Sequence, residues 1–267
     1  MKLFLSPTPL KRAAEFFRRP TVLAFDFDGT LCPLAKNPAK AQIAERMAKV
    51  LIELQQNSPL AIISGRAKVD LLRHLPWRPN YVIGNHGIEG LFDPAQFANA
   101  QATSQDWAMQ LVNNPLLQQK GIYFENKTYS LAIHYGACHS YFGIGKALLQ
   151  LVQCLRPLPS LILGKHVINL LPAKLPRKGD ALLEILRQTK YEQAFYLGDD
   201  VTDEDVFGLN DDRILAVRVG RKIKSQAAYY LPAQKDVYPL LKRIQKWQQQ
   251  AAITAQQDFQ QTKLPLA

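Results

Sequence analysis

Val22-Leu23-Ala24-Phe25-Asp26-Phe27-Asp28-Gly29-Thr30 is an apolar run that ends in two carboxylates and a glycine. It reads as a buried strand opening into a turn, because a short apolar run bounded by turn residues suits a strand covered on both faces. Asp26 and Asp28, two residues apart where a strand becomes a loop, can converge on one ligand. One carboxylate can attack phosphorus and form an aspartyl-phosphate. The other can protonate the leaving alkoxide, then activate the water that hydrolyses the intermediate. Gly29 lets the backbone turn sharply, and nearby N–H groups can hold phosphate oxygens. The bland alternative is a plain Asp-Gly turn.

The same grammar repeats outward from this stretch. Ile43, Met47, Val50 and Leu54 recur at helical spacing with charged residues between them, which predicts an amphipathic helix. Leu60–Ile63 predicts a second strand, ending in Ser64-Gly65-Arg66, and Tyr81–Ile83 a third, leading into Gly84-Asn85-His86-Gly87. Later, Gly179–Arg187 reads as a helix, Ala194–Leu197 as a strand ending in Gly198-Asp199-Asp200, and Ile214–Val219 as another strand. Strands alternating with helices predict a parallel sheet with its chemistry at the strands' carboxyl ends. At those ends Ser64 can donate to a phosphate oxygen, against the reading of a routine Ser-Gly turn. Lys178 offers a cation to nucleophile and phosphate, against that of a solvated surface charge. Asp199, Asp200 and Asp203 suit Mg²⁺, a hard cation that takes a few carboxylates plus water and phosphate; the alternative is capping of a helix N-terminus. Asp203 either caps or anchors Lys178.

The middle of the chain differs. Tyr129, Leu131 and Ile133 alternate with polar or small residues, a period-two strand. Tyr141–Leu155 reads as a helix, and Leu161–Leu163 and His166–Leu171 flank Gly164-Lys165 as a hairpin. An α+β unit inserted at about residues 96–173 is expected. From Lys235 the chain is rich in Gln and Lys, a closing helix with a frayed tail.

The net charge of +11 is dispersed, with no nucleic-acid motif, so it reads as a field that gathers anionic ligands or as background composition. No apolar stretch reaches transmembrane length, and Met1–Pro20 lacks the apolar segment of a secretory signal. Three cysteines, Cys32, Cys138 and Cys154, cannot all pair and fit no zinc spacing, which favours a reduced, cytoplasmic setting. Cys32 is a small apolar filler or an oxidation-sensitive thiol beside the motif.

Asp26-x-Asp28-Gly29-Thr30, Ser64, Lys178 and Gly198-Asp199-Asp200-x-x-Asp203, in that order, resemble the four-motif set of the haloacid dehalogenase-like phosphatases. The resemblance implies an α/β, Rossmann-like parallel-sheet hydrolase core (residues 1–95 and 174–267) carrying an inserted α+β cap (96–173). It implies Asp26 as nucleophile and Asp28 as acid/base, with Ser64 and Lys178 on the phosphoryl group. Mg²⁺ would be held by Asp26, Asp199 and the backbone carbonyl of Asp28, with Asp200 and Asp203 behind them.

A narrower resemblance covers nearly the whole chain. Ile63-Ser64-Gly65-Arg66, Asn85-His86-Gly87, Glu125-x-Lys127, His134-Tyr135, Gly164-Lys165-x-Val167 and Gly198–Asp205 are similar to the trehalose-6-phosphate phosphatases. It implies that Gly65, Arg66, His86, Glu125, Lys127, His134 and Asn169 contact the sugar phosphate under a cap that excludes water. Glu125 and Lys127 are equally readable as solvated charges at a hairpin turn. The sequence departs from the family at three places. Gly136 stands where Arg is usual, Asn169 where Glu is usual, and Leu171 where Lys or Arg is usual. Val167, Asn169 and Leu171 share one strand face. The expected activity is therefore hydrolysis of trehalose 6-phosphate by a monomer that contacts neither nucleic acid nor membrane. The rivals are the same chemistry on another sugar phosphate, and a non-catalytic sugar-phosphate-binding or partner-binding module.

Overall fold

The computed structural model describes residues 1–35, 38–138, 141–164 and 166–262. Seven parallel strands form the main sheet in the order β1-β11-β10-β9-β2-β3-β4. Their spans are β1 (Lys2–Leu3), β2 (Thr21–Phe25), β3 (Leu60–Ile63), β4 (Tyr81–Ile83), β9 (Gln193–Gly198), β10 (Ile214–Val219) and β11 (Tyr229–Leu231). Every residue of β2 is buried, as a central parallel strand with both faces covered requires. Leu23 and Phe25 point into a layer built with Met47, Leu51 and Leu54 of α2 (Glu45–Gln55) and Leu240, Leu241 and Ile244 of α8 (Val237–Thr262). Val22 and Ala24 point the other way, onto Leu182 and Ile185 of α6 (Lys178–Gln188) and Val206 of α7 (Glu204–Phe207). The alternation of a strand thus sorts one apolar run into two cores.

The strand order reverses between β2 and β9. From β2 the chain winds outward through β3 to β4, and from β9 the other way through β10 to β11. The gap left between the two loops at this reversal is where open α/β sheets place ligands. The loops after β2 and β9 carry Asp26–Gly29 and Asp199–Asp203.

A second, antiparallel sheet in the order β5-β6-β8-β7 comprises β5 (Tyr123–Asn126), β6 (Leu131–His134), β7 (Ser160–Gly164) and β8 (Val167–Leu171). Leu131, Ile133, Ile168 and Leu170 pack with Trp107 and Leu111 of α4 (Ala98–Leu111) and Leu148 and Val152 of α5 (Tyr141–Gln153). Register places Glu125 opposite Ala132, and Ala132 opposite Asn169, so these three lie on the face away from the helices. Lys165, in the expected hairpin, lies outside the described residues, as does the end of the Gln-rich tail.

The period-two strand begins at Leu131 rather than Tyr129. Thr128 takes φ 71° and the Tyr129 N–H turns back to the Lys127 carbonyl. Not expected were α1 (Pro7–Phe16), the short outer strands β1 and β11 and, in the second unit, α4 and β5. The remaining helix, α3 (Lys68–His74), follows Ser64-Gly65-Arg66.

Candidate active site

Asp26 closes the β2–β9 ladder, its N–H donating to Leu197 O at 2.8 Å. The side chain then leaves the sheet beside Lys178, the first residue of α6. Lys178 Nζ donates to Asp26 Oδ1 at 2.7 Å and to Asp203 Oδ1 at 2.8 Å. Asp203 Oδ1 also accepts from Tyr196 OH at 2.7 Å, and Oδ2 from the Asp200 N–H at 2.8 Å. Asp203 therefore both anchors the lysine and caps the turn after β9. Gly29, at φ +80°, sits where a Cβ would run into the Asp199 carboxylate, so the glycine is needed for conformation and space alike. Thr30 Oγ1 donates to Asp199 Oδ1 at 3.3 Å.

Oxygens of Asp26, Asp199 and Asp203 can lie within 4.8 Å of one another. Three carboxylates around one lysine leave an excess of negative charge out of water. Burial, with Asp203 and Asp199 adding to it against Lys178, holds Asp26 well above the usual carboxylate range. Burial, then Asp203 and Asp200, pushes Asp199 up to about 7. Burial alone would lower Lys178, but Asp203 and Asp26 outweigh it and hold it above the ordinary lysine range. A further cation is the natural complement, and an all-carboxylate oxygen set fits Mg²⁺. Asp200 stands apart from this group. Its carbonyl accepts from Arg218 at 3.0 Å, and its Oδ2 lies 3.6 Å from where a Cβ on Gly164 would be.

The other expected residues come in from β3 and from the second sheet. Ser64 is buried at the end of β3, its hydroxyl accepting from the Arg66 N–H at 3.2 Å. Asp28 does not join the acidic group. Arg66 Nε and Nη2 hold its two oxygens at 2.6 and 2.8 Å, so any contribution of Asp28 to a metal would be its backbone carbonyl. Lys127 reaches down from the second sheet to Gly65 O at 2.9 Å, and also donates to Asn169 Oδ1 at 3.2 Å. Burial lowers Lys127 from the ordinary lysine range, partly offset by Glu125. Asn169 Nδ2 donates to Ile162 O at 3.3 Å, so Asn169 meets the site chiefly through Lys127. Glu125 Oε2 is 2.9 Å from His134 Nε2. Burial would raise Glu125, yet His134 and Lys127 hold it below the usual range.

His86 lies against Gly65, where a Cβ would come within 2.6 Å of the ring. It is 4% exposed, and neither ring nitrogen has a hydrogen-bond partner. Asn169 stands near enough to favour the protonated ring, without hydrogen-bond geometry. Burial, then Lys127 and Lys178, wins and keeps His86 well below the ordinary histidine range. A buried neutral imidazole with two unmet nitrogens, facing the seam between the sheets, is built for a polar ligand.

Three residues were not anticipated. Arg218 of β10, 5% exposed, donates to the carbonyls of Asp199 and Asp200 and to Glu204; an arginine inside an apolar strand was the available signal. Asn85 donates to Lys127 O at 2.8 Å and accepts from Ser130 Oγ at 2.5 Å, joining the two sheets. Tyr196 supports Asp203. Cys32 is unpaired and buried, its thiol pushed up to about 12 by burial and by Asp28, which fits the filler role.

Residues 24–231 match the Trehalose-phosphatase family model. The chain belongs to the trehalose-phosphatase family. It is a phosphoric monoester hydrolase family, and the sequence agrees beyond the motifs. Trehalose-phosphate phosphatase B of Arabidopsis thaliana is 27% identical over 254 residues, 85% of this chain and 66% of that protein. The chain thus spans about two thirds of that relative's length. The C-terminal domain of C. albicans trehalose-6-phosphate phosphatase shares the fold at a TM-score of 0.74 and 20% identity, covering 89% of this chain and 96% of that domain. A sugar phosphatase of HAD subclass IIB shares it at 0.51 and 15% identity, covering 83% of this chain and 98% of that one. The parallel core with a separate antiparallel sheet is the haloacid dehalogenase-like fold. Among the described residues, no helix is long and apolar enough to cross a membrane.

Proposed function

We propose that this chain hydrolyses trehalose 6-phosphate to trehalose and phosphate through an aspartyl-phosphate on Asp26, with Mg²⁺ as cofactor. The observation that carries the reading is the buried Asp26–Lys178–Asp203 array with Asp199 beside it, placed beneath a second sheet whose Lys127 reaches Gly65. Residues 96–173 act as the cap, and three unpaired cysteines suit a reduced, cytoplasmic setting.

In the first step an Asp26 oxygen forms a bond to phosphorus as the ester P–O bond breaks. That bond's electron pair goes to the leaving oxygen, which takes the proton of Asp28. In the second step water gives a proton to Asp28 and its oxygen bonds to phosphorus. The Asp26–phosphorus bond breaks and the carboxylate is restored. Lys178 and Ser64 hold the phosphoryl oxygens. Asp26, Asp199 and the Asp28 carbonyl would hold Mg²⁺, which supplies neutralisation of charge on the transferring group. His86, Glu125 and Lys127 offer polar contacts to the sugar, while the Asn85–Ser130 and Lys127–Gly65 bonds keep water out.

The test is phosphate release with Mg²⁺ from trehalose 6-phosphate, glucose 6-phosphate and sucrose 6-phosphate, with Asp26→Asn as control. The expected result is the highest kcat/KM on trehalose 6-phosphate and none with Asp26→Asn. A preference for another sugar would overturn the substrate, and an active Asp26→Asn would overturn the covalent mechanism.

A further inference from the structure

Arg66 stands just before α3, whose Asp70 and His74, four residues apart, share one side of the helix. A continuous line of contacts runs through them to the catalytic loop. Arg66 spends Nε and Nη2 on the two oxygens of Asp28, and its Nη1 donates to Asp70 Oδ2 at 2.8 Å. The other oxygen of Asp70 lies 3.5 Å from His74 Nε2. His74 Nδ1 is 3.0 Å from the Ala41 carbonyl; a carbonyl only accepts, so Nδ1 carries a hydrogen, and Nε2 holds Asp70 when the ring carries its second one. Phe27, between the two aspartates, is part of the same assembly. The Arg66 guanidinium lies 5.3 Å from its ring centroid, and the His74 ring packs on it at 6.0 Å.

Arg66 is 8% exposed and His74 11%, whereas Asp28 is 31% and Asp70 37% exposed. The arrangement is thus a rigid buried pair tying two more accessible carboxylates. A guanidinium presents its donors in a fixed planar fork, so holding one edge orients the other. Asp28 sits on a loop beyond the end of β2, and proton transfer needs it within hydrogen-bond reach of the leaving oxygen. Something must aim it.

We propose that Asp70 and His74 are positioning residues for Asp28. They fix Arg66, and Arg66 fixes the carboxyl group, one oxygen staying on the guanidinium while the other gives its proton to the leaving oxygen. This rests on the phosphatase reading above.

The leaving group separates positioning from general support. An alkoxide needs the proton of Asp28; 4-nitrophenolate departs as a stable anion. The rate of the first step, from leaving-group release in a single turnover, is compared for Asp70→Asn and wild type. Two substrates are used: whichever of the three sugar phosphates wild type turns over fastest, and 4-nitrophenyl phosphate. The sugar phosphate should slow roughly tenfold, a part of the 10²–10⁴-fold that general acid–base catalysis supplies, with 4-nitrophenyl phosphate slowed less than about twofold. Asp70→Glu should recover most of the loss, and KM should move little. Equal losses on both substrates, or no loss on the sugar phosphate, would overturn the proposal. If circular dichroism showed Asp70→Asn unfolded, His74→Gln would take its place in the same comparison, and the same two outcomes would overturn the proposal. Wild-type protein that released phosphate from neither compound would overturn the phosphatase reading itself, and this inference with it.

Discussion

Lys178 Nζ lies 2.7 Å from Asp26 Oδ1 with the two side chains only 1% and 6% exposed. A buried pair of this kind adds little net stability, because both charges lost their water, but removing one partner strands the other. Here the stranded charge would include Asp203, fully buried on the lysine's other side. Lys178→Met should therefore cost about 3–5 kcal/mol in urea unfolding and abolish phosphate release. Mg²⁺ should return part of the lost stability, since it supplies positive charge to the same carboxylates. A variant as stable as wild type without metal would mean that the acids are not ionised there.

The same crowding predicts how metal and pH interact. Asp199 is raised to about 7 and Asp26 is raised as well, so between pH 4 and 7 the folded protein holds more protons than the unfolded chain. Stability without metal then falls as pH rises through that window, the Asp199 contribution being lost as pH passes through about 7. Mg²⁺ requires the ionised carboxylates, so its binding should tighten over the same range. Thermal melts at pH 6 and pH 8 should show a larger Mg²⁺-induced rise in Tm at pH 8. An equal rise at both would place the metal elsewhere.

The centre of the fold was legible because its strands are buried on both faces. β2, β3 and β9 read as the apolar runs Val22–Phe27, Leu60–Ile63 and Ala194–Leu197, bounded by turn residues, and their ends carry Asp26, Ser64 and Asp199. The edges were not: β1 and β11 are two and three residues long, too short for any period to show. β5 carries Tyr-Phe-Glu-Asn, with no clean alternation. The residues missed at the site work through contacts that no local pattern announces. Tyr196 looks like core filler until Asp203 folds back onto it, and Asn85 gains its role only when Lys127 and Ser130, more than forty positions along, meet it.

Arg218 makes a prediction about metal rather than turnover. It donates to the carbonyls of Asp199 and Asp200 and to Glu204, so it fixes the peptide from which the Asp199 side chain hangs. Groups that orient a metal ligand are worth roughly 10–100-fold in affinity. Arg218→Met should weaken Mg²⁺ by about that factor in isothermal titration, although every carboxylate remains. An unchanged Kd would reduce Arg218 to a support of β10.

Asn85 couples the two sheets and should control sugar substrates more than small ones. Fully buried and at φ +50°, it binds Lys127 O and Ser130 Oγ on the side of the second sheet. On the core side its own N–H donates to Arg66 O at 2.6 Å, and the next residue's N–H to Ser64 O at 3.0 Å. The turn that joins the second sheet is thus also hydrogen-bonded to the backbone of Ser64-Gly65-Arg66. In Asn85→Ala, closure would bury Ser130 Oγ without its acceptor and leave Lys127 O with the Tyr129 N–H alone, at about 1–3 kcal/mol. That penalty falls on every turnover that needs a closed cap. For trehalose 6-phosphate kcat/KM should drop roughly 10- to 100-fold. For 4-nitrophenyl phosphate, which has no sugar for the cap to hold, it should change far less, and partial proteolysis should cut the cap linkers faster than in wild type. Equal losses on both substrates would mean that Asn85 acts on Ser64 alone and that the cap is held by other contacts.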